Sequence, residues 1–463
     1  MNCLRLSLLI SCCFFLLQKA EAQYVIIDSV LFKGNEKTRE NILRRELDIF
    51  PGDTLQVSEL DSRVEFNRRK LINTSLFIWV KVNSHINNVP NHITITFEFL
   101  EQWYLLGYPI FQLADRNLND WWARGGSLER IIYGAHLIHN NFRGRNERLS
   151  FKAETGFTQR IELGYSNPYL DRKKTLGLGA ALAYTTNKNL VFRTINDTLN
   201  ILNSDKILRE RWSGALSFRK RLRFYDFHFA EMKFSHTSIA DTIRKLNPNY
   251  YYKGSKEQNF LQLTYAFSYD FRDFAPYPLR GRKIDFGYNY YGILAKEGLN
   301  YWDFKASVAY FFELGSNFFI SSQWKGKVTQ ANKNIPYANI QGLGYGGDNV
   351  RGYELNVIDG TNYLLSKNTF KYQLFNKIIP IRFIPYKQFN QIPISLYPSL
   401  FFDFAYVYQA QPELTSSRFS NRWIYGMGVG FDIVTYYNFV CKLGVPLINS
   451  GKSGLVVSIG REF

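Results

Sequence analysis

The strongest constraint on the fold of this chain is a two-residue alternation that continues from residue 104 to the carboxyl terminus. In residues 425–433 the bulky apolar set alternates with Gly426, Gly428, Gly430 and Asp432, and it consists of Tyr425, Met427, Val429, Phe431 and Ile433. Segments 261–269 and 284–290 repeat the pattern. It is typical of strands with lipid on one face and a wet lumen on the other. A soluble sandwich also alternates, but its large side chains meet in a core. Glycine at the polar positions of the alternation favours the barrel over the soluble sandwich.

Sixteen such segments can be recognised in residues 104–463, and even strand numbers close bacterial barrels. They begin near residues 104, 131, 148, 159, 176, 210, 225, 259, 283, 302, 317, 361, 394, 421, 437 and 453. Four connections are long, and all of them lie at the same end of the predicted barrel: 185–209, 236–258, 327–360 and 409–420. Residues 374–393 are a long exception on the other side, which we ascribe to a twelfth strand that runs on. The fold class is therefore a 16-stranded antiparallel transmembrane β-barrel preceded by a small α+β domain.

The first 22 residues differ from the rest of the chain. Arg5 precedes an apolar stretch at 6–17, and Ala20 and Ala22 form a small-x-small cleavage site, as in a secretory signal peptide. A lipoprotein signal ending at Cys12 would leave too short an apolar stretch. After residue 22 only Cys441 remains, which excludes an intrachain disulfide. No later run of about 18 uncharged apolar residues is present, so an exported membrane protein of this kind must cross the bilayer as a closed barrel.

Residues 24–101 mix helical and strand periods. A strand at 25–32 precedes a helix for which Thr38 is the expected cap. A second helix is expected to start in a capping-box-like segment at 58–61, and two alternating segments follow, at 78–82 and 93–99. The predicted order is β-α-α-β-β. This order, with the turns at 34–38 and 51–53 and the stretch 76–80, resembles a POTRA domain. The resemblance implies a periplasmic module that binds extended polypeptide along a sheet edge. A generic α+β domain is the alternative.

The long connection before the twelfth segment contains the sequence Val350-Arg351-Gly352-Tyr353. It resembles the V-R-G-[FY] loop motif of the BamA/TamA outer-membrane insertase family. In that family the loop folds into the barrel, and its arginine pairs with the aspartate of an F-x-D-x-G motif on the wall. That motif corresponds here to residues 401–405, where Phe401 and Asp403 match and Ala405 replaces the glycine. The parity of Asp403 predicts a side chain in the lumen. Residues 368–371 lack the acid that family members often carry nearby.

Two further features resemble the same family. The turn 270–281, with Asp273 and Pro278-Leu279-Arg280-Gly281, is similar to a family turn between the eighth and ninth strands, and a polar periplasmic turn is the alternative. The terminal segment ends in Phe463, as in barrels recognised for outer-membrane assembly. In the family the first and last strands meet at a weak seam, which Gly454 and Gly460 would suit because glycine has poor strand propensity.

The sequence carries no catalytic constellation, P-loop or dinucleotide fingerprint, so we expect no enzymatic activity, no cofactor and no metal site. The resemblance implies a cell outer-membrane assembly or insertion factor, an accessory member with one POTRA domain, working without ATP. A polypeptide secretion transporter or passive channel is the alternative, and a soluble α+β protein is the third. The expected domains are a signal peptide at 1–22, a POTRA-like periplasmic domain at 24–101 and a transmembrane β-barrel at 104–463. Expected partners are unfolded polypeptides, periplasmic chaperones or lipoproteins, and lipopolysaccharide. The net charge of +18 matches anionic lipid rather than nucleic acid.

Overall fold

The computed structural model describes residues 24–114, 118–123, 125–168, 170–171, 175–223, 225–274, 276–293, 299–331, 334–380, 391–412, 416–435, 439–449 and 454–459. The signal-like segment lies outside this set. The chain forms two compact units. One runs to Leu105 and includes the turn Asn140–Glu147, and the other contains Leu106–His139 and Arg148–Phe463.

The first unit is a four-stranded sheet with two helices. Its elements, in chain order, are β1 (Tyr24–Lys33), α1 (Glu40–Glu46), β2 (Thr54–Gln56), α2 (Val57–Asn73), β3 (Phe77–Ile86) and β4 (His92–Glu101). The strand order across the sheet is β2-β1-β4-β3, with β1 parallel to β4 and the other pairs antiparallel. Every second residue of β4, from Ile93 to Phe99, is buried, because one face of the sheet forms the core of the unit.

The small α+β domain is confirmed, but the sequence prediction missed one of its strands and misplaced both helix caps. The short strand β2 lies between the helices and extends the sheet beside β1. Thr38 is not the residue before α1, and its hydroxyl donates instead to Glu101 Oε1 at 2.5 Å. Helix α2 begins at Val57, ahead of the capping-box-like residues, and the preceding Gln56 makes no side-chain cap bond. Tertiary pairing has overridden the local capping signals.

The second unit is a closed antiparallel barrel, and its 16 strands confirm the predicted fold class. Each begins within three residues of its predicted start. The strands are β5 (Leu105–Leu113), β6 (Ile131–Phe142), β7 (Glu147–Gly156), β8 (Thr158–Asn167), β9 (Leu176–Asn187), β12 (Arg209–Arg221), β13 (Asp226–Ile239), β14 (Glu257–Arg272), β15 (Gly281–Ile293), β16 (Tyr301–Gly315), β17 (Phe318–Ala331), β18 (Asn362–Tyr372) continued by β19 (Phe375–Pro380), β20 (Gln391–Tyr408), β21 (Trp423–Thr435), β22 (Phe439–Ile448) and β23 (Val456–Ile459).

The alternation read from the sequence separates the two faces of the wall. In β16 the odd positions Asp303, Ala309 and Phe311 are buried, whereas Phe304 and Phe312 are exposed on the outside. In β20 Asp403 and Ala405 are buried, and Phe402 is exposed. Bulky apolar side chains thus cover the outside, whereas most luminal positions are small or polar and a few, such as Phe311, are large. This is the arrangement of a membrane-spanning barrel.

The long connections gather at one end of the barrel, which we call the long-loop end. The connection after β9 contains a hairpin of β10 (Asn189–Ile195) and β11 (Thr198–Asn203). Helix α3 (Leu118–Ala123) and helix α4 (Asp241–Leu246) lie in two other connections, with short 3-10 turns at Leu128–Arg130, Tyr252–Gly254 and Tyr337–Asn339. At the short-turn end, the exception after residue 374 is explained because β19 continues the twelfth strand and pairs with β20. None of the helices in the described ranges is long and apolar enough to cross a membrane.

Candidate functional site

The connection between β17 and β18 folds back into the barrel. We call residues 341–361 the lumen loop. Its ends are joined by mutual backbone hydrogen bonds of 2.9 Å between Leu343 and Ile358. Two glycines allow the loop to lie flat on the wall. Gly352 has a φ of +101°, and a Cβ there would lie 2.2 Å from Ile448. A Cβ at Gly426 of β21 would lie 2.0 Å from the carbonyl oxygen of Arg351. Glycine on the luminal parity of β21 thus makes room for this loop.

Arg351 and Asp403 form a bidentate ion pair. The Nε of Arg351 donates to Oδ2 of Asp403 at 2.7 Å, Nη2 donates to Oδ1 at 2.5 Å, and the Arg351 backbone N–H donates to Oδ2 at 3.1 Å. Asp403 is fully buried, and the Arg351 side chain is 26% exposed. The guanidinium also lies over the Phe401 ring, 4.2 Å from its centroid. Arg351 therefore contacts both of the sequence-predicted wall residues, Phe401 and Asp403.

The acid missing from β18 is replaced by neutral acceptors. Nη1 of Arg351 donates to the Thr369 hydroxyl at 3.0 Å, and Nη2 also donates to the Asn368 carbonyl at 3.0 Å. The guanidinium is thus shared by two strands and needs only one carboxylate. Within the loop, Glu354 accepts a hydrogen bond from the Gly352 backbone N–H at 2.9 Å. Burial raises the pKa of the Glu354 carboxyl, against the effect of that hydrogen bond.

An apolar cluster holds the loop on either side of the ion pair. Val350 and Tyr353 are each 1% exposed and pack with Ala405 of β20. The Tyr353 ring meets Phe419 edge-on at 5.1 Å, and its hydroxyl donates to Asn449. Ala405 occupies the position where the family motif has glycine, and its methyl group lies in this cluster. Arg351 is therefore flanked by two buried anchors from its own loop.

Two other carboxylates of the loop, Asp348 and Asp359, make further contacts. Lys325 of β17 donates to Asp348 at 2.6 Å, and Tyr363 of β18 donates to it at 3.3 Å. Burial is the largest single effect and raises the pKa of the Asp348 carboxyl. The charge and hydrogen bond of Lys325, the charge of Lys367 and the hydrogen bond from Tyr363 together lower this pKa below its usual value. Near the carboxyl end of the loop, Asp359 accepts a hydrogen bond from Tyr345, and burial raises the pKa of its carboxyl to about 6. These contacts were not predicted, because nothing local in the sequence pairs 325 with 348.

A hairpin at the long-loop end makes a contact that the sequence analysis missed. The tip of β10–β11 is Asn196-Asp197, with both φ angles positive. Asp197 is fully buried and accepts hydrogen bonds from the Ser417 hydroxyl, from the Arg418 backbone N–H at 3.0 Å and from Arg418 Nε at 3.2 Å. Its own carbonyl accepts from the backbone N–H of Val357 in the lumen loop at 2.8 Å. The Asn-Asp pair between alternating segments is a hairpin signal that could have been recognised.

The turn between β14 and β15, which the sequence singled out, also reaches into the lumen. Tyr277 is 2% exposed. Its hydroxyl donates to Asp432 of β21 at 2.8 Å, its ring meets Tyr397 of β20 at 4.9 Å, and the Lys371 ammonium lies 4.1 Å from the ring centroid. The turn thus contacts strands that are not its neighbours in the sheet.

The predicted seam is described only in part. Strand β23 is hydrogen-bonded between β22 and β5, which closes the barrel. Gly454 precedes this strand, and a Cβ there would meet no atom within 4 Å. Gly460 and Phe463 lie outside the described residues.

The fold and the lumen loop define a class of protein: an outer-membrane-type barrel with an amino-terminal POTRA-like domain and an arginine-bearing loop inside the lumen. Family comparison gives the same class. Residues 141–448 match the model described as the Omp85 superfamily domain, and residues 25–102 match the POTRA model described as a surface antigen variable number repeat. The chain belongs to the Omp85 superfamily.

Solved structures share the fold at low sequence identity. BamA from Haemophilus ducreyi lacking POTRA domains 1–3 matches with a TM-score of 0.58 at 14% identity, covering 94% of this chain and 84% of that one. CdiB from Escherichia coli matches with a TM-score of 0.56 at 12% identity, covering 94% and 76%. CdiB from Acinetobacter baumannii matches with a TM-score of 0.53 at 12% identity, covering 94% and 73%. Comparison with curated proteins gives no significant match.

Proposed function

We propose that this protein is an accessory factor that assembles or inserts polypeptides in the outer membrane, with residues 24–101 in the periplasm and residues 104–463 as the barrel. The observation that carries the proposal is the open edge of the first unit. Strand β3 lies at one side of the sheet, and among the described residues no strand pairs with its free side. It is ten residues long, and Ile78 and Ile86 are exposed along it. An extended client can add to such an edge.

The energy for insertion would come from the client itself, so ATP is not needed. In hydrocarbon every backbone N–H and C=O must be satisfied within protein, and a client strand gains these bonds as it pairs and closes. We place the entry point at the seam between β23 and β5, where Gly454 precedes the last described strand. In this proposal residues 350–353 anchor the lumen loop to the barrel wall, through contacts with Phe401 and Asp403. The protein supplies a template and not a catalytic group, so the function is not enzymatic.

A secretion transporter or passive channel is the second candidate, because the same fold is found in CdiB from two organisms. Depletion of the protein in its own cells, followed by quantitative proteomics of the outer membrane, distinguishes the two. We expect the loss of several barrel proteins. Loss of one exported protein, with the barrels unchanged, would instead establish a dedicated transporter. Co-purification with periplasmic chaperones or lipoproteins identifies partners in the same cells.

A further inference from the structure

The outer face of the barrel carries basic side chains at the short-turn end. Residues 219–223, where β12 ends, contain four cations in five positions: Arg219, Lys220, Arg221 and Arg223. Lys220 is exposed and shares the outward parity of the exposed Phe218. On β15, Arg282 is exposed and shares the outward parity of Tyr288. The β12–β13 and β14–β15 hairpins therefore each present a cation on the membrane side of the wall.

Both outward cations lie at the ends of their strands. Lys220 is the last residue but one of β12, and Arg282 is the second residue of β15. A basic side chain on the lipid face of a barrel is costly at the bilayer midplane and nearly neutral at the interface with water. Long basic side chains also extend toward the headgroups while their stems lie along apolar surface. The two charges therefore lie at the level of the lipid headgroups.

Aromatic rings fill the space between these cations. Tyr225, in the turn between β12 and β13, meets Phe271 edge-on at 4.8 Å and Tyr269 at 6.1 Å. The Arg282 guanidinium lies over the Tyr269 ring, 5.4 Å from its centroid. In the register of β14, β15 and β16, Arg282 lies between Phe271 and Tyr310. We call this surface the basic aromatic strip: Lys220, Arg223, Tyr225, Tyr269, Phe271, Arg282 and Tyr310.

Asp226 is an acid on the same outward face. Its carboxylate lies 4.0 Å from the guanidinium of Arg223, which is itself 88% exposed. Glu231 of β13 has the opposite parity and faces the lumen. Asp171, in the turn before β9, uses its carboxylate to accept the backbone N–H groups of residues 175–176. The acids of this hairpin and of the preceding turn therefore offset part of the positive charge and not all of it.

The acids of the neighbouring turns have partners of their own. Glu313 Oε2 lies 2.5 Å from Arg280 Nη2, and Asp270 Oδ2 lies 2.6 Å from Arg272 Nη2. Asp273 accepts hydrogen bonds from backbone N–H groups of its own turn. These carboxylates are therefore engaged outside the strip.

The strip thus keeps a net positive charge. In the part of the chain that the structure describes, Lys220 and Arg282 form no ion pair. Clusters of Lys and Arg beside a membrane-spanning segment recognise anionic lipid. Guanidinium groups match the oxygens of a phosphate group, and tyrosine rings are enriched at headgroup level. Charge, depth and ring content agree on one class of ligand, an anionic phospholipid.

We propose that the basic aromatic strip binds an anionic phospholipid of the periplasmic leaflet, with the headgroup phosphate between Lys220 and Arg282 and the acyl chains beside Phe271. This inference rests on the proposed location of the barrel, in which the short-turn end faces the periplasm. It adds a lipid site to a protein whose proposed clients are polypeptides. A lipid is favoured over a protein partner because the outward face of a barrel strand is already covered by lipid.

Native mass spectrometry of the full-length protein in detergent, titrated with phosphatidylglycerol or with phosphatidylcholine, tests the proposal. Each cation near an anionic surface tightens binding roughly fivefold. We therefore expect the wild-type protein to prefer phosphatidylglycerol by roughly fivefold or more, and the double variant Lys220→Gln, Arg282→Gln to lose that preference. The charge-preserving variant Lys220→Arg, Arg282→Lys should keep it. Lys188→Gln, Lys245→Gln removes two exposed cations from the long-loop end and is the matched control, which should bind as the wild type does.

Three results of this titration would overturn the proposal. They are equal affinity of the wild-type protein for the two lipids, unchanged binding in the glutamine double variant, and an equal loss in the control variant. Excess inorganic phosphate should leave the lipid bound, because the rings contact the acyl chains as well. Complete displacement by phosphate would reduce the strip to a site for a free ion. Each variant is first checked for the folded band that shifts on heating, and Arg282→Gln alone replaces a double variant that does not fold.

A photo-crosslinking amino acid at Leu222, which is 59% exposed in the turn after β12, distinguishes lipid from protein in cells. We expect a lipid adduct in the mass spectrum of the purified protein. A discrete adduct with a periplasmic protein would assign the strip to a protein partner and would overturn the proposal. If depletion leaves other barrels unchanged while phosphatidylglycerol binds as expected, the assembly function fails and the lipid site stands, so the two failures are distinguishable.

Discussion

At the scale of single residues, the pairing of Arg351 with Asp403 depends on how dry the lumen is. Removing one partner of a dry buried pair costs about 3–5 kcal/mol, whereas a solvated pair contributes about 0–1 kcal/mol. Asp403 is fully buried but Arg351 is partly exposed, so a value between these limits is expected. Thr369 and the Asn368 carbonyl hold the guanidinium as well, which makes the two ends of the pair unequal.

We expect Arg351→Ala and Asp403→Ala each to loosen the lumen loop by roughly 1–3 kcal/mol, with effects that do not add in the double variant. The measurement is the labelling rate of a reporter cysteine, Gly346→Cys, in a Cys441→Ser background. Gly346 suits this purpose because a Cβ there meets nothing within 4 Å. Arg244→Ala, on α4, is the control. Strictly additive single effects would mean that the two residues do not act together.

Asp359 is expected to make the stability of the lumen loop depend on pH. The pKa of its carboxyl is raised from 3.8 to about 6. Burial is the largest cause and the charge of Asp197 adds to it, while hydrogen bonds from Tyr345 and Thr194 act in the opposite direction. One carboxylate oxygen of Asp359 is buried and has no hydrogen-bond partner in the described part of the chain. Because the pKa is raised on folding, the stabilisation is complete below about pH 4 and is lost as the pH rises through about 6.

The loop should therefore resist protease better at pH 5 than at neutral pH. Between these two pH values about one pKa unit of the stabilisation is lost, which corresponds to roughly 1.4 kcal/mol. Asp359→Asn should remove the dependence, whereas Asp205→Asn, in an exposed turn, should leave it in place. The measurement is the rate at which a protease that is active at both pH values cleaves the loop. Equal pH dependence in wild type and Asp359→Asn would assign the effect to another group.

At the scale of elements, the hairpin β10–β11 is held to the long-loop end by Asp197. Asp197→Ala leaves the Arg418 and Phe419 backbone N–H groups without this acceptor, and each lost buried partner costs about 1–3 kcal/mol. We expect trypsin to cut more rapidly at Arg193 and Lys206 in folded protein. Thr198→Ala, at the exposed next position of the same hairpin, is the matched control. Unchanged cleavage in Asp197→Ala would show that the tip is held by apolar packing alone.

The edge strand β3 should be where clients first meet the protein. A photo-crosslinking amino acid at Ser84, which is exposed on this strand, should capture unfolded barrel segments in cells. The same group at Glu59, exposed on helix α2, should capture far less. The physical reason is that only the strand offers unpaired backbone groups in a row. Equal capture at both sites would indicate nonspecific contact and would remove the support for edge pairing.

At the scale of the whole molecule, closure of the barrel predicts unusual resistance to detergent. All backbone groups of a closed barrel pair with neighbouring strands, so there is no free edge from which unfolding can start. We expect the protein in membrane fractions and, in SDS without boiling, a folded band that shifts on heating. Recovery in the soluble periplasmic fraction, or one band under both conditions, would contradict the barrel as a membrane-spanning structure.

The sequence by itself determined the strand content and the faces of the strands. Side chains alternate across a strand with a period of two, so each position is assigned to lipid or lumen without knowledge of its neighbours. For this reason the sixteen starts were predicted within three residues, and Asp403 was assigned to the lumen. The β10–β11 hairpin shows the limit of this reasoning. Its Asn-Asp turn is a local signal, but the residues that the Asp197 carboxylate binds lie more than 200 positions away.

Only the tertiary structure decided what fills the lumen. The partners of Arg351 on β18 are a hydroxyl and a carbonyl, and no pattern distinguishes these from other strand residues. Tyr277 meets strands that are not its sheet neighbours, and the short strand β2 forms because β1 offers it an edge. Alternation fixes which way a side chain points, because that is local backbone geometry. It does not fix which side chains meet across the barrel, because those distances depend on how all the strands close around a common axis.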